Sequence, residues 1–207
     1  MKQTLRKWGT LCLSTLLCIT MLGGCAISQG GRSQQAEETF GQLVSALKAA
    51  DMPTAQQYMD MASLETGGID FTSEAYVPLA KEMFGKLECE VLSTEEVDSE
   101  NVRLHVKIKA VNMQPVMVTW IQNLMQKAME LGESASQMSN EEQTQLALDG
   151  LIEAVRESGE ELLESEVDVN VTWVDGAPKI QSDRTFANAL MGGLMDASEG
   201  LQNSLNE

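Results

Sequence analysis

The chain has 207 residues, 31 acidic and 14 basic side chains, a formal net charge of −17 and one histidine. This acidity argues against nucleic-acid binding, which rests on Lys and Arg neutralising phosphates, and against adhesion of the folded body to anionic lipid. A chain of this length can bury roughly 70% of its unfolded surface in one domain, so no second core is needed.

The first 24 residues have the organisation of an export signal. Lys2, Arg6 and Lys7 precede about a dozen mostly apolar residues, and no acid occurs among them. A membrane-spanning helix needs roughly 20 apolar residues, so this run is short for one. We therefore assign residues 1–24 to a removable signal peptide.

The signal ends at a short motif that contains a cysteine. Leu22, Gly23, Gly24 and Cys25 resemble a lipobox, the signal of bacterial lipoproteins. The resemblance implies recognition of Leu22, Gly23 and Gly24 by the lipoprotein signal peptidase and diacylglyceryl attachment to the Cys25 sulfur. Two acyl chains, such as palmitate, give stable anchoring where one does not. The alternative is an ordinary secretory signal that happens to contain a cysteine.

Cleavage before Cys25 would leave 183 residues with 11 basic and 31 acidic side chains, a formal charge of −20. Cys89 would then be the one free thiol, so no intramolecular disulfide could form. The small polar residues up to residue 35 predict a flexible tether over residues 25–35. We expect the protein on the outer face of the cell membrane, held there by acyl chains on Cys25.

Helical periodicity begins after the predicted tether. Apolar spacing predicts a first helix over about residues 35–50, and Pro53 predicts the first turn of a second helix. A third helix is predicted over about residues 73–86, kinked at Pro78. The apolar positions of these helices are Phe40, Leu43, Val44, Leu47, Ala55, Tyr58, Met59, Tyr76, Leu79, Ala80, Met83 and Phe84.

The period then changes to two, which predicts an antiparallel hairpin over about residues 87–110 that turns near residues 98–101. Acidic side chains alternate along its first strand and basic side chains along its second. Opposite charges on facing strands favour cross-strand pairing. The charged positions are Glu88 and Glu90 on one strand and Arg103, His105, Lys107 and Lys109 on the other.

A helical pair follows the hairpin. Pro115 opens a long helix to about Gly132, and Ser139 with Glu142 matches a capping box that starts a second helix reaching Leu162. We expect the first helix to pack on the sheet and on the second helix and to leave a Met-lined groove. Its main stripe is Val116, Trp120, Leu124, Ala128 and Leu131, widened by Met117, Ile121 and Met125.

The remaining chain predicts a second hairpin and a terminal helix. Alternating apolar residues up to Trp173 precede the turn Asp175-Gly176, and Pro178 marks the return as an edge strand. The terminal helix is expected to end near Gly192 and Gly193, with residues 199–207 frayed. Segregated helices and antiparallel strands predict a single α+β domain over residues 36–198.

The segment V-D-G-A-P-K-I-Q-S-D-R-T-F-A-N-A-L-M-G-G-L resembles the ending of small lipoproteins of Gram-positive bacteria with a cystatin-like or nuclear transport factor 2-like domain. The resemblance implies a curved antiparallel sheet packed by N-terminal helices, here with a helical pair inserted between the hairpins. In those proteins the strand after D-G carries Trp-Lys-Ile, whereas this chain has Pro178 in the tryptophan position.

Few residues have the spacing of a catalytic or metal site. Cys89 and His105 suggest a nucleophile and base, but the predicted hairpin places them on opposite sheet faces, so a buried thiol and a solvated histidine are favoured. Two acidic runs, over residues 95–100 and 157–168, lack the pattern of a calcium loop, and solvated faces are favoured over weak cation binding.

Eleven methionines remain after residue 24, including Met59 with Met61 and Met191 with Met195. Thioethers can bind copper, but these positions follow helical faces, which favours core filling or an adaptable apolar groove. We therefore expect no metal and no cofactor.

Two classes of function stay open. The preferred one is a non-catalytic, lipid-anchored domain that binds a peptide, a protein or a small apolar ligand at the cell surface. The alternative is an enzyme of isomerase or dehydratase type that uses the concave pocket of the fold. Such chemistry needs an acid or base inside an apolar cavity, for which Tyr58, Tyr76 and Asp70 are the candidates.

Overall fold

The computed structural model describes residues 31–66 and 68–205. These residues form four strands and seven α-helices, and short 3₁₀-helices cover Met61–Leu64, Glu74–Tyr76 and Gly132–Gln137. In chain order the elements are α1 (Arg32–Lys48), α2 (Met52–Ala55), α3 (Val77–Phe84), β1 (Glu88–Glu96), β2 (Asn101–Val111), α4 (Met113–Leu131), α5 (Asn140–Ser158), β3 (Leu162–Val174), β4 (Ala177–Gln181), α6 (Arg184–Leu190) and α7 (Leu194–Leu205).

The four strands form one antiparallel sheet in the order β1-β2-β3-β4. β1–β2 and β3–β4 are hairpins, and the α4–α5 pair connects β2 to β3. The predicted α+β class and the helical pair between the hairpins are thus confirmed. Pro178 lies in the edge strand β4, as predicted. A proline has no N–H to donate, and an edge strand tolerates this because it pairs with a neighbouring strand on one side only.

One face of the sheet is buried and contributes its apolar side chains to the hydrophobic core. Val102, Leu104, Val106 and Ile108 of β2 are fully buried, and helices α1, α3 and α6 pack over this side. Helices α1 and α6 contact each other through the rings of Phe40 and Phe186, whose centroids are 6.3 Å apart. Alternation along β2 therefore places apolar side chains under the helices and charged ones on the open face.

The N-terminal helices differ from their predicted bounds. α1 begins at Arg32, earlier than the predicted start near residue 35. Its first turn is polar, so apolar periodicity could not mark it. α3 starts only at Val77 after a 3₁₀ turn, and Pro78 lies in its first turn instead of kinking it, because the first turn needs no N–H donor there.

Two further boundaries were predicted wrongly. Leu162 begins β3 and does not belong to α5, which ends at Ser158 before Gly159. The helix that carries Phe186 does end at Leu190, close to the predicted end near Gly192 and Gly193, but the predicted frayed tail from residue 199 is helical, because a separate helix, α7, continues to Leu205. Ala197 and Leu201 extend the apolar spacing from Leu194 and pack against the core, which explains why this helix persists.

The turn between α6 and α7 contacts the end of β2. Gly192 has φ +60°, and a Cβ atom there would lie 1.7 Å from the carbonyl oxygen of Val111. Its own carbonyl accepts a hydrogen bond of 2.9 Å from the N–H of Met113, the first residue of α4. This glycine therefore joins the sheet, α4 and the C-terminal helices at one point.

Candidate functional site

The start of α1 lies at one end of the sheet. Ser33 Oγ donates a hydrogen bond of 2.9 Å to Glu96 Oε1, and the guanidinium carbon of Arg32 lies 5.1 Å from the ring centroid of Trp173. Glu96 and Trp173 both lie next to the hairpin turns. We call this the turn end of the sheet.

The α4–α5 pair starts and finishes at the other end. β2 leads into α4 after Val111, and α5 returns to the sheet before Leu162. β2 has 11 residues, so the two ends are separated by about 33 Å at roughly 3.3 Å per residue.

A groove of about 420 Å³ runs between α4 and α7 at this second end. We call it the α4–α7 groove. It is open to solvent and mostly apolar, and Gly192 and Gly193 form part of its wall. Its apolar side chains are Met117, Val118, Leu163, Ala197 and Leu201.

The apolar surface continues from the groove along α4. Val118, Met125 and Met129 have exposed fractions of 50, 63 and 76%. Spacings of seven and four residues place them on one side of the helix, together with the partly exposed Ile121. We call these four side chains the α4 stripe. Val118 belongs to both features and joins them into one surface.

The opposite side of α4 packs on α5. Trp120 Nε1 donates a hydrogen bond of 2.9 Å to the carbonyl oxygen of Ala147. A Cβ atom at Gly150 would lie 3.6 Å from the Trp120 ring and 3.7 Å from Leu124, so the two helices approach closely there. α5 in turn packs on α3. The α4 stripe therefore lies on the side of α4 that does not contact α5.

These contacts correct one expectation and bear out another. α4 packs on α5, as expected, but its other main partner is α7 and not the sheet. A groove is present beside α4, but Met117 is the one methionine among its lining residues, and Met125 and Met129 are exposed on α4 outside it. Val118 and Met129 were not among the predicted apolar positions of α4, although their spacing to Met125 could have revealed the stripe.

The open face of the sheet is a ladder of charged residues. Three acids of β3 face the cations of β2 in register: His105 opposite Asp168, Lys107 opposite Glu166, and Lys109 opposite Glu164. On the other side Arg103 Nη1 lies 3.3 Å from Glu95 of β1. Arg103–Glu95 is a β1–β2 ion pair that the prediction did not name. The predicted acids Glu88 and Glu90 lie opposite Lys109 and Lys107 in register, but these lysines pair with Glu164 and Glu166 of β3. The contribution of β3 was missed, although its acids alternate at every second residue.

His105 is held between two carboxylates of this ladder. Its Nδ1 lies 2.9 Å from Asp168 Oδ1, and its Nε2 lies 3.7 Å from Glu166 Oε2. The hydrogen bond to Asp168 is the main cause that raises the pKa of His105, and the charges of Asp168 and Glu166 add to it. A raised pKa is the expected response to neighbouring negative charge.

Cys89 does not pair with His105. Cys89 is opposite Ile108 on the core side of the sheet, whereas His105 is on the open side. Burial raises the pKa of the Cys89 thiol to about 12. A thiol with this pKa is almost entirely protonated at neutral pH and is a poor nucleophile. The preferred interpretation of the two residues is therefore supported by their geometry.

The candidate acid–base residues do not share one cavity. Tyr58 and Tyr76 line separate surface pockets, and the Tyr76 hydroxyl donates to the carbonyl oxygen of Gly68 over 3.2 Å. Asp70 accepts hydrogen bonds from the hydroxyl and the N–H of Thr72, and these lower the pKa of its carboxyl group, the hydroxyl more than the N–H. In the described part of the chain, Thr39 is the polar residue that is buried as a whole, and its hydroxyl donates to the carbonyl oxygen of Gln35, while the hydroxyl of Ser182 is buried without a hydrogen-bond partner.

The methionine pairs and Asp98 of the first acidic run have structural roles. Met59, Met61 and Met191 are buried in the core, and Met195 packs against it. Within residues 31–66 and 68–205, no cluster of three or more His, Cys, Asp or Glu side chains is arranged to hold a metal ion. Asp98 accepts hydrogen bonds from the N–H groups of Glu100 and Asn101 and thereby closes the β1–β2 turn.

The predicted lipidation motif, Leu22 to Cys25, and most of the predicted tether lie outside the described residues. None of the helices in the described ranges combines the length and the apolarity that crossing a bilayer would require.

Comparisons with protein-family models, with curated proteins and with solved structures found no match to this chain.

Proposed function

We propose that this protein is a lipid-anchored, non-catalytic domain that binds a peptide, protein or small apolar ligand at the outer face of the bacterial membrane. The observation that carries the proposal is the α4–α7 groove with the α4 stripe. Ligand sites are typically concave and mostly apolar, and a contiguous exposed apolar patch on a soluble domain commonly marks an interaction surface.

The position of the groove supports binding away from the membrane. Arg32 starts α1 seven residues after Cys25, and seven extended residues span at most about 25 Å. Anchoring through Cys25 would hold the turn end nearest the bilayer, with the groove at the other end of the sheet. A formal charge of −20 after cleavage would keep the domain from settling on anionic headgroups.

We also propose that the domain is a variant of the cystatin-like or nuclear transport factor 2-like folds of Gram-positive lipoproteins. Its support is the sequence ending V-D-G-A-P-K-I-Q with helices packed on one face of a four-stranded antiparallel sheet. The α4–α5 pair would be an insertion that such a domain carries between its two hairpins.

Metabolic labelling with an alkyne-bearing palmitate analogue tests the anchor. We expect the wild type to incorporate label and to remain with membranes, and Cys25→Ala to lose both. Cys89→Ala is the matched control and should behave as wild type. Equal labelling and equal membrane retention of Cys25→Ala and wild type would overturn the anchoring proposal.

Site-specific crosslinking tests the binding surface. A photoreactive phenylalanine analogue is placed at Val118 in the groove or at Val174 near the turn end, which are 50 and 47% exposed. In intact cells we expect a discrete crosslinked species from position 118 and none from position 174. Absence of any product at position 118, or identical products at both positions, would contradict a binding role for the groove.

A further inference from the structure

We infer that the α4–α7 groove and the α4 stripe bind the apolar face of a cationic amphipathic helix. This inference rests on the proposed function and specifies its partner. Helix-in-groove recognition uses apolar anchors spaced i, i+3, i+4 and i+7 against a matching apolar surface.

The size of the surface fits a short helix. The α4 stripe extends over 11 residue steps from Val118 to Met129, or about 17 Å at 1.5 Å per residue. That length is about three helical turns. The groove extends the surface beyond Val118 to Leu163 of β3 and Leu201 of α7. A partner helix of three to four turns could place its anchors along the whole length.

The side chains also fit a helical partner of variable sequence. Met125 and Met129 are exposed, and Met117 lines the groove. Methionine is unbranched and polarizable, and it is over-used on surfaces that adapt to different apolar partners. The surface therefore selects for an apolar stripe more than for a particular sequence.

Charge sets the sign of the partner. α4 carries two charged residues, Lys127 and Glu130, whose side chains pair over 3.4 Å. Of the residues that line the groove, Asp196 is the charged one. Asp196 and Glu199, three residues further along α7, share Arg184, so these three side chains carry one net negative charge on the α7 rim of the groove, where Asp196 is the one that lines it. A cationic flank on the partner would complement this rim and the acidity of the whole chain.

The same charge disfavours two other occupants. A second copy of this chain would bring a further formal charge of −20 and would meet the surface with equally acidic surroundings. An anionic lipid surface would be repelled for the same reason. A cationic helix gains from the acidity that both of these must overcome.

Binding of a designed peptide to the lipidated protein in phosphatidylcholine nanodiscs tests the inference. The probe is a fluorescent 18-residue Leu/Lys peptide with one apolar face, and empty nanodiscs give the background. A Leu/Glu peptide of the same pattern tests the charge, and a scrambled Leu/Lys peptide without an apolar face tests the helix geometry. We expect the Leu/Lys peptide to bind at least tenfold more tightly than either, with affinity falling as salt rises.

Three variants locate the site. Val118→Asp and Met129→Asp should each weaken the Leu/Lys peptide at least tenfold, and Met129 is 76% exposed, so its replacement should leave folding unchanged. Val174→Asp, at the turn end, is the matched control and should bind as wild type. Equal binding of the Leu/Glu or scrambled peptide, or unchanged binding by Met129→Asp, would overturn the inference.

The outcomes separate this inference from the proposed function. Failure of the Leu/Lys peptide, together with a discrete crosslink from position 118 in cells, would refute the cationic helix and leave the binding role intact. Failure of both would refute both.

Discussion

Replacing Gly192 with alanine should destabilise the domain far more than the same change at another glycine with positive φ. Gly192 has φ +60°, and the added Cβ atom would lie 1.7 Å from the carbonyl oxygen of Val111. Gly176, in the β3–β4 turn, has φ +81° and no atom within 4 Å of such a Cβ. Gly176→Ala is therefore the matched control for backbone conformation alone.

The two substitutions share one cost and differ in another. A left-handed conformation costs an L-residue about 1–2 kcal/mol at either position. At Gly192 the turn must also move by more than about 1 Å, which breaks the bond from Met113 N–H at a net loss of about 1 kcal/mol and disturbs the packing at the base of α4 by about 1–3 kcal/mol. Gly192→Ala should then cost about 2–4 kcal/mol more than Gly176→Ala.

Thermal unfolding followed by circular dichroism measures this difference. For a domain of this size 1 kcal/mol lowers the Tm by roughly 2–4 °C. Gly192→Ala should therefore unfold about 10 °C below Gly176→Ala. Equal Tm values would show that the contact between the α6–α7 turn and the end of β2 does not hold the structure together, and the reasoning would be refuted.

Three further outcomes are expected. Asp168→Asn should lower the pKa of His105, which is measured by ¹H NMR from the resonance of the one histidine. Folding raises this pKa, so the ion pairs of protonated His105 stabilise the fold fully below about pH 6.5. This stabilisation is lost as the pH rises through the raised pKa of the folded state. An unchanged pKa would contradict the hydrogen bond. In a variant with the three N-terminal cysteines replaced by serine, Cys89 should react with a thiol reagent at pH 8 only after unfolding, since burial raises its pKa to about 12; labelling of the native protein at the unfolded rate would contradict its burial. Ser139→Ala should cost about 1 kcal/mol by chemical denaturation, because it removes the hydroxyl that accepts the Glu142 N–H. An unchanged midpoint would show that α5 does not depend on its capping box.

Periodicity in the sequence correctly predicted those helices and strands that are specified by residues close together in the chain. Alternation along β1 and β2 gave the first hairpin, and the pattern from Ser139 to Glu142 gave the start of α5. The opposite sheet faces of Cys89 and His105 also followed from alternation alone.

The misplaced boundaries have tertiary causes. α1 begins at Arg32 because its polar first turn contacts Glu96 and Trp173, which are more than 60 residues away in the chain. Leu162 fits the helical pattern of α5, but pairing with Val111 places it in β3. Neither of these long-range contacts can be recognised from the residues next to Arg32 or Leu162 in the sequence.

The α4 stripe could have been predicted from the sequence, whereas the α4–α7 groove could not. Val118, Met125 and Met129 repeat at helical spacing, which a reading of both faces of α4 would have found. The groove requires the packing of α7 against α4, and that depends on the close approach at Gly192. A glycine pair in the sequence does not reveal which backbone it will contact.

The charged ladder between β2 and β3 leaves their alignment partly ambiguous. A slip of two residues that set Lys107 opposite Glu164 and His105 opposite Glu166 would also bring Arg103 opposite Asp168, and so keep three acid–base pairs. Apolar side chains would stay on the core side, because the slip is even. Non-repeating contacts at the two ends must therefore select the native alignment. Thr172 bonds Asn101 over 2.8 Å at the turn end, and the Asn112 side chain bonds Glu161 over 2.8 Å at the other. Correct pairing of β2 with β3 thus depends on two side-chain hydrogen bonds at the ends of the strands, Thr172 to Asn101 and Asn112 to Glu161.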